Sequence, residues 1–485
     1  MNNSATHSDL QFLARQVMLD HGFQPDFPPP VQQQLAQLKP TQPTAQNGLR
    51  DLRHLLWSSI DNDTSKDLDQ IEVAEPLPNG DTKILIGIAD VDTDVPRNTP
   101  IDQHASAQGT TVYTGVRNFS MLPEALSTGL TSLLENQDNA SIIIEYVVSG
   151  DGHVKSSDLY RALVRNRAQL TYSGAGGWLE NTAPPPPKVA ASSDLQAQLN
   201  LQNTVAQALR RQRYQHGALN IETIEMRPIL INDRVADVVK QEKNLATELI
   251  EDFMIAANEV VARALLNVSS IRRVVKTPER WDRIVQLAAE QGGHLPTNPD
   301  SKALNDFLMQ RKAADPTHFA DLSLAVIKLM GPGEYILERP GDTLVGHFGL
   351  AVQDYTHSTA PNRRFADLVT QRLIKSFVQK ETNPYSDSEL DAIAKTCTER
   401  EDAARKVERE MSKRIAAAAL ADRVGQSFDA VVTGANSKGT FVRVLKPHVE
   451  GMLVQGQQGL DVGDTLRVKL LRTDVQKGYI DFAKG

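Results

Sequence analysis

The stretch Ser59-Ile60-Asp61-Asn62-Asp63-Thr64-Ser65-Lys66-Asp67-Leu68-Asp69-Gln70 constrains this chain more than any other. Four aspartates fall within nine positions. Carboxylates this close repel one another unless positive charge sits between them. Apolar residues bracket the cluster: Leu55, Leu56, Trp57 and Ile60 before it, then Ile71, Val73 and the strand-like run Lys83-Ile84-Leu85-Ile86-Gly87-Ile88-Ala89. The chain must therefore build a core directly around a knot of negative charge. Hard oxygen ligands at this spacing suit Mg²⁺, Mn²⁺ or Ca²⁺.

Three readings compete at this point. One is a solvated acidic loop, the usual fate of a charge run. A second is a calcium loop, since Asp61, Asp63, Ser65, Asp67, Asp69 and Glu72 occupy the ligand positions of an EF-hand. Against it, Lys66 stands where that loop needs Gly for its sharp turn. The third is a carboxylate site that holds a metal against a scissile phosphate.

The bulk numbers narrow the field. The 485 residues are enough for two or three domains and a sizeable core. A single cysteine, Cys397, allows no disulfide framework within the chain, which fits a reducing cytoplasm. No basic region followed by an apolar core opens the chain, and no run is long enough to span a bilayer, so neither a signal peptide nor membrane attachment is expected. The net charge of -8 means that any nucleic-acid surface must be local.

Periodicity divides the chain into three. Residues 1–49 predict two short helices, one using Leu10, Leu13 and Val17 and one opened by Pro28-Pro29-Pro30, with Pro40 and Pro43 as a linker. Residues 50–424 mix strands and loops first, including Ser141 to Val148, and helices later. The clearest helix is Leu245 to Leu266, and the last is long, Ser388 to Arg423. Residues 425–485 alternate short strands with glycine turns, as in a small closed barrel of the OB type. There, Phe428 and Phe441 alternate with Lys438 and Arg443, the aromatic-plus-basic pattern expected for gripping a single strand.

A second constellation lies far downstream, Tyr355-Thr356-His357-Ser358-Thr359-Ala360-Pro361-Asn362-Arg363-Arg364-Phe365-Ala366-Asp367-Leu368. A helix starting near Pro361 would carry Arg363 and Arg364 in its first turn, where amides and guanidinium forks suit phosphate oxygens. The competing reading ties the arginine pair to Asp367 or a neighbour.

Together these residues resemble the catalytic domain of the ribonuclease II and ribonuclease R family. The family's motifs occur here in order: the acidic stretch, Gly87-Ile88-Ala89-Asp90-Val91, Gly109-Thr110-Thr111-Val112-Tyr113, Met121-Leu122-Pro123-Glu124-Ala125-Leu126-Ser127, Leu249 to Asn258, and the arginine segment. The C-terminal barrel resembles the S1 RNA-binding domain that closes chains of this family. The implied fold is α+β: an RNB-type catalytic domain with a mixed sheet and many helices over 50–424, an OB-fold barrel over 425–485, and a short helical segment over 1–49.

The implied activity is removal of nucleoside 5′-monophosphates from the 3′ end of single-stranded RNA, in RNA decay or processing. By the same resemblance, Asp61, Asp67, Asp69 and Gln70 would surround Mg²⁺, with Mn²⁺ as an alternative ion. Asp69 and Asp67 would orient the attacking water, and Arg363 would stabilise the charge that develops on phosphate. Tyr113 would stack on a base, Glu251 would reach the terminal ribose, and Arg364 would contact RNA. Phe428, Lys438, Phe441 and Arg443 would grip RNA on the barrel. No obligate protein partner is implied.

Three departures stand out. Gln70 replaces the family's fourth aspartate, Ala360 and Asn362 replace the usual Ser and Ile beside the arginine, and the N-terminal region is much shorter than the family's pair of cold-shock domains. A more open entrance to the site is expected from the third. The first two leave a rival reading, an RNA-binding protein with a degenerate site.

Overall fold

The computed structural model describes residues 6–39, 48–223, 225–231, 233–316, 318–436 and 439–485. Pro40, Pro43 and Lys438 lie outside the described residues. Two helices come first, α1 (His7–Asp20) and α2 (Pro29–Gln37). Thr6 and Asp9 cap α1 reciprocally, and Pro29 opens α2 where no N–H is needed. Next come β1 (Arg50–Asp51), β2 (Trp57–Asp61), β3 (Gln70–Pro76), β4 (Thr82–Ala89), α3 (Pro100–Gln108), β5 (Val112–Tyr113), β6 (Asn118–Phe119), β7 (Asp138–Val148) and β8 (Val154–Thr171). One mixed sheet has the order β1-β8-β2-β3-β4-β7. The long β8 pairs with β7 from Val154 to Arg165, then with β2 from Asn166 to Thr171, so one strand ties both sides of the sheet together. Strands β2, β3 and β4 are buried on both faces over most of their length, which explains their near-continuous apolar runs.

Helices then cover the sheet: α4 (Tyr172–Leu179), α5 (Pro187–Ala190), α6 (Ser193–Gln215) and, after the hairpin β9 (Glu225–Ile231) and β10 (Arg234–Gln241), α7 (Leu245–Ala264). Leu249, Ile250, Phe253, Ala257 and Val261 of α7 join the main core with Trp57, Ile71, Ile86 and Ile144. A satellite core around Trp281, Phe307 and Phe319 belongs to α8 (Trp281–Glu290), α9 (Ser301–Ala314) and α10 (Phe319–Met330), which lie in the chain between the paired strands β11 (Ser270–Val274) and β12 (Glu334–Glu338). The chain continues through α11 (Phe365–Gln379) and the 34-residue α12 (Asp387–Leu420).

A closed barrel ends the chain: β13 (Ser427–Asn436), β14 (Gly439–Val444), β15 (Val449–Gln455), β16 (Thr465–Asp474) and β17 (Tyr479–Lys484), in the order β13-β14-β15-β17-β16. Its core does not stand apart. Val442, Leu470 and Phe482 of the barrel share one apolar cluster with Val407 and Met411 of α12 and with Leu10, Leu13 and Val17 of α1. Among the described residues, no helix is long and apolar enough to cross a membrane.

Candidate active site

The acidic stretch joins β2 to β3 and forms the floor of a cleft of about 630 Å³. Asp61, Asp63, Asp67, Asp69 and Gln70 line it, with Tyr113, Tyr172 and Arg363 around them. Ser132 is completely buried and fixes the loop from below. Its Oγ donates to the Lys66 carbonyl (2.7 Å) and accepts from the Leu68 N–H (2.9 Å). At the loop's exit the Ala89 N–H donates to the Asp69 carbonyl (3.0 Å), so the segment is pinned on two sides. Asp61 receives the Asn62 N–H and the Ser65 hydroxyl, and Asp63 receives the Ser173 hydroxyl.

Asp69 is the most enclosed acid of the four, with 2% of its surface exposed. The Asn362 N–H donates to its Oδ1 (3.0 Å), and Arg363 Nε lies 3.5 Å from its Oδ2. Burial pushes the Asp69 carboxyl up to about 7, against the pull of Arg363 and the Asn362 amide. Burial also raises Asp67, and the neighbouring Asp61 charge adds to it. Tyr113 leaves 40% of its surface exposed in the cleft. Burial of its phenol, with Arg363 pulling the other way, leaves its pKa up at about 12.

The arginine segment departs from the expected geometry. Helix α11 starts at Phe365, so both arginines precede it. Arg364 is extended (φ -135°, ψ 124°) and bridges Thr110. The Arg363 carbonyl accepts from the Thr111 N–H (2.9 Å), and the Phe365 N–H donates to the Gly109 carbonyl (2.9 Å). The Gly109–Tyr113 motif thus works as a rail that fixes the arginine segment. Gly109 itself has φ 71°, and a Cβ there would lie 2.6 Å from Arg400 Cβ, so a larger residue would break the seat.

The two arginines separate sharply. Arg363 faces the cleft with 43% of its side chain exposed. The sequence reading gives Arg364 to RNA, and the structure corrects this. Arg364 forms a two-point pair with the fully buried Asp367 (2.8 and 2.7 Å), and Asp367 also takes the Ala360 N–H. An unpaired carboxylate at that depth would be costly, so Arg364 is committed to the fold. Asn362 turns its amide side chain to Thr131 and gives only its backbone N–H to Asp69, so its side chain stays out of the cleft.

Other expectations also change. Glu251 is not on the cleft wall. It pairs with Lys243 (2.7 Å), while Thr247, Ile250 and Met254 of the same helix line the cleft. Arg443 forms a two-point pair with Asp321 of α10 (2.6 and 2.9 Å) and fastens the barrel to the satellite helices instead of facing a ligand. Phe428 packs partly into the barrel core, whereas Phe441 lines a groove of about 950 Å³ between the barrel and α12. The calcium-loop reading fails because its sixth ligand, Glu72, is fully buried on β3. Neither Glu72 carboxyl oxygen has a hydrogen-bond partner, and burial holds its pKa well above the usual carboxylate range. Sequence reasoning missed Ser132, the Asn362 amide, Tyr172, and the cleft cations Arg227 and Lys240, none of which carries a local signal.

The donor chemistry of the acidic stretch, mutually repelling carboxylates with the neutral amide oxygen of Gln70 beside them, fits a hard divalent cation. Among the described residues, no group of three or more His, Cys, Asp or Glu side chains is already close enough together to hold a metal ion.

Three comparisons agree with this architecture. The chain is 30% identical over 470 residues to ribonuclease R of Thermotoga maritima, covering 90% of this chain and 64% of that protein. It therefore spans less than two thirds of that relative's length. Its fold is similar to the apo form of Mycoplasma genitalium RNase R (TM-score 0.87, 22% identity, 98% of this chain and 78% of that one). It is also similar to yeast Ssd1, described as a pseudonuclease (TM-score 0.72, 15% identity, 92% of this chain and 57% of that one). The RNase II-type exonuclease C-terminal S1 domain matches residues 426–484. The RNB domain matches residues 49–380, more than half of the chain, and this chain belongs to the RNB family.

Proposed function

We propose that this chain is a 3′ to 5′ exoribonuclease that hydrolyses single-stranded RNA to nucleoside 5′-monophosphates, acts in RNA decay in the cytoplasm, and depends on Mg²⁺. The observation that carries the reading is Asp69, an enclosed carboxyl held by a backbone amide beside an exposed arginine in a cleft that also presents an aromatic ring. That position suits a proton acceptor. Asp69 takes a proton from the attacking water, whose oxygen bonds to phosphorus as the bond to the preceding residue's O3′ breaks. The shortened strand keeps a 3′-hydroxyl once that oxygen is protonated, and the 5′-monophosphate departs. Arg363 faces the charge that builds on the non-bridging oxygens. Tyr113 stacks on a base near the 3′ end and so serves any sequence. Asp61, Asp67, Asp69 and Gln70 would hold Mg²⁺, which when bound supplies charge neutralisation at phosphate and a lower pKa for water. Mn²⁺ meets the same oxygen donors.

A second reading, an RNA-binding protein with an inactive site, draws on Gln70 in place of a carboxylate. One experiment separates the two: a time course on 3′- and 5′-labelled single-stranded RNA, with and without EDTA. Stepwise shortening of the 5′-labelled strand with mononucleotide release, abolished by EDTA, is expected. Binding without release in any divalent ion would leave the second reading standing.

A further inference from the structure

The β9–β10 hairpin is the shared wall between the acid cleft and the barrel groove. Met226 and Val238 line the groove, where Phe441, Tyr479, Lys406 and Lys413 also lie. Arg227 and Lys240 line the cleft. Arg227 stands one step from Met226 on β9 and so points to the opposite side, while Lys240, which pairs with Met226 across the hairpin, reaches the cleft near the end of β10. Both cations are exposed, and among the described residues neither side chain has a hydrogen bond or an ion pair. Arg364 and Lys243, by contrast, are tied to carboxylates, Asp367 and Glu251.

The hairpin is also held at a fixed height. The His7 N–H at the start of α1 donates to the Asp233 carbonyl at the hairpin tip (2.7 Å), and Thr6 bridges Arg234. The His7 ring reaches Asp233 (3.6 Å) on one side and the Val116 carbonyl (2.9 Å) on the other. Val116 lies in the loop between β5 and β6, the small hairpin that carries Tyr113. At the other end, Arg423 donates to the Ala236 carbonyl of β10 (2.9 Å). The first helix thus connects the aromatic side of the cleft to its cationic wall.

We propose that this hairpin carries the phosphodiester backbone of a single strand from the barrel groove to Asp69, with Arg227 and Lys240 contacting phosphates on the 5′ side of the scissile one, and that α1 holds the hairpin in position for that task. The proposal rests on the exoribonuclease reading. The ligand it requires is a polyanionic strand, because two free cations above five lining acids (Asp61, Asp63, Asp67, Asp69 and Glu242) give such a strand a place to enter. Recognition through backbone charge predicts the same contribution for RNA and for single-stranded DNA.

The test measures binding of a fluorescein-labelled 16-nucleotide single strand by the full chain in EDTA, at graded KCl. For the double variant R227Q/K240Q, the slope of log affinity against log salt should become shallower by about 1.4, since each phosphate contact on a single strand contributes roughly 0.7. An equal change is expected for DNA of the same length. Under turnover, KM for a long RNA should rise while kcat on a dinucleotide, too short to reach the hairpin, stays within about twofold. His7→Ala should weaken binding less than the double variant while its melting temperature stays within a few degrees. An unchanged salt slope in R227Q/K240Q would show these cations to be solvated surface charge and overturn the proposal, leaving the exoribonuclease reading intact. Absence of single-strand binding by the wild type at any salt would overturn both.

Discussion

The acid cleft and the barrel groove, back to back across one hairpin, differ in how their side chains are anchored. In the cleft, the main chain is fixed around the site: the acidic loop by Ser132, the arginine segment by Thr111 and Gly109. Arg363 keeps 43% of its side chain exposed, and Asp69, held by the Asn362 amide and Arg363, still lines the cleft. In the barrel, the side chains themselves are used for assembly. Arg443 is committed to Asp321, and Phe428 is partly in the core. A site that does chemistry needs fixed atoms with free functional ends. A site that grips a strand works by summing many weak contacts and can give up some of them to packing.

The contrast predicts where rate and affinity separate. The largest effect is expected for Asp69→Asn, a loss of roughly 10²–10⁴-fold in turnover with RNA affinity nearly unchanged, read by single-turnover hydrolysis beside equilibrium binding. The same variant should be more stable than the wild type in EDTA at pH 8. The Asp69 carboxyl is raised to about 7 when folded, against 3.8 unfolded. Stability is therefore lost as pH rises from about 4 to about 7, by a total on the order of 4 kcal/mol that the amide does not incur. A thermal-melt difference between the two proteins that does not grow across that window would show that Asp69 is not the buried acid described.

Next in size is the arginine pair. Arg363→Ala should cost about 10²–10³-fold in rate and little stability. Arg364→Ala should do the opposite, destabilising the fold by about 3–5 kcal/mol, because it leaves Asp367 buried and unpaired. Denaturant titrations beside initial rates check both, and equal behaviour of the two variants would erase the distinction. Tyr113→Ala should remove about 1–3 kcal/mol of stacking and leave longer end products on a sequencing gel; a ladder identical to that of the wild type would take the ring out of the clamp. The smallest effects belong to the barrel. Phe441→Ala should weaken RNA binding several-fold without changing kcat on a dinucleotide. Arg443→Ala should lower stability by about 1–3 kcal/mol with RNA contacts spared. If Arg443→Ala instead lowers affinity with the melting temperature unchanged, the barrel's basic face contacts RNA after all.

Local pattern was enough for much of this protein. The five barrel strands, the long last helix and the two opening helices are written in periodicity and in turn residues, because the spacing of apolar positions and the turn chemistry are local even where the packing partner is distant. The acidic stretch announced itself for the same reason: its charges are adjacent, so their conflict is visible without a fold. Tertiary structure decided everything that depends on which distant group meets which. Arg363 and Arg364 are adjacent and chemically identical, and only the rail of Gly109 to Thr111 and the buried Asp367 turn one toward the cleft and the other into the core. Arg443 reads as a nucleic-acid contact until Asp321, 122 positions away, claims it. Arg227 and Lys240 carry no signal until the hairpin places them across from the aspartates. A charge has a fixed type in sequence, but its role follows from its partner, and the partner is set by packing.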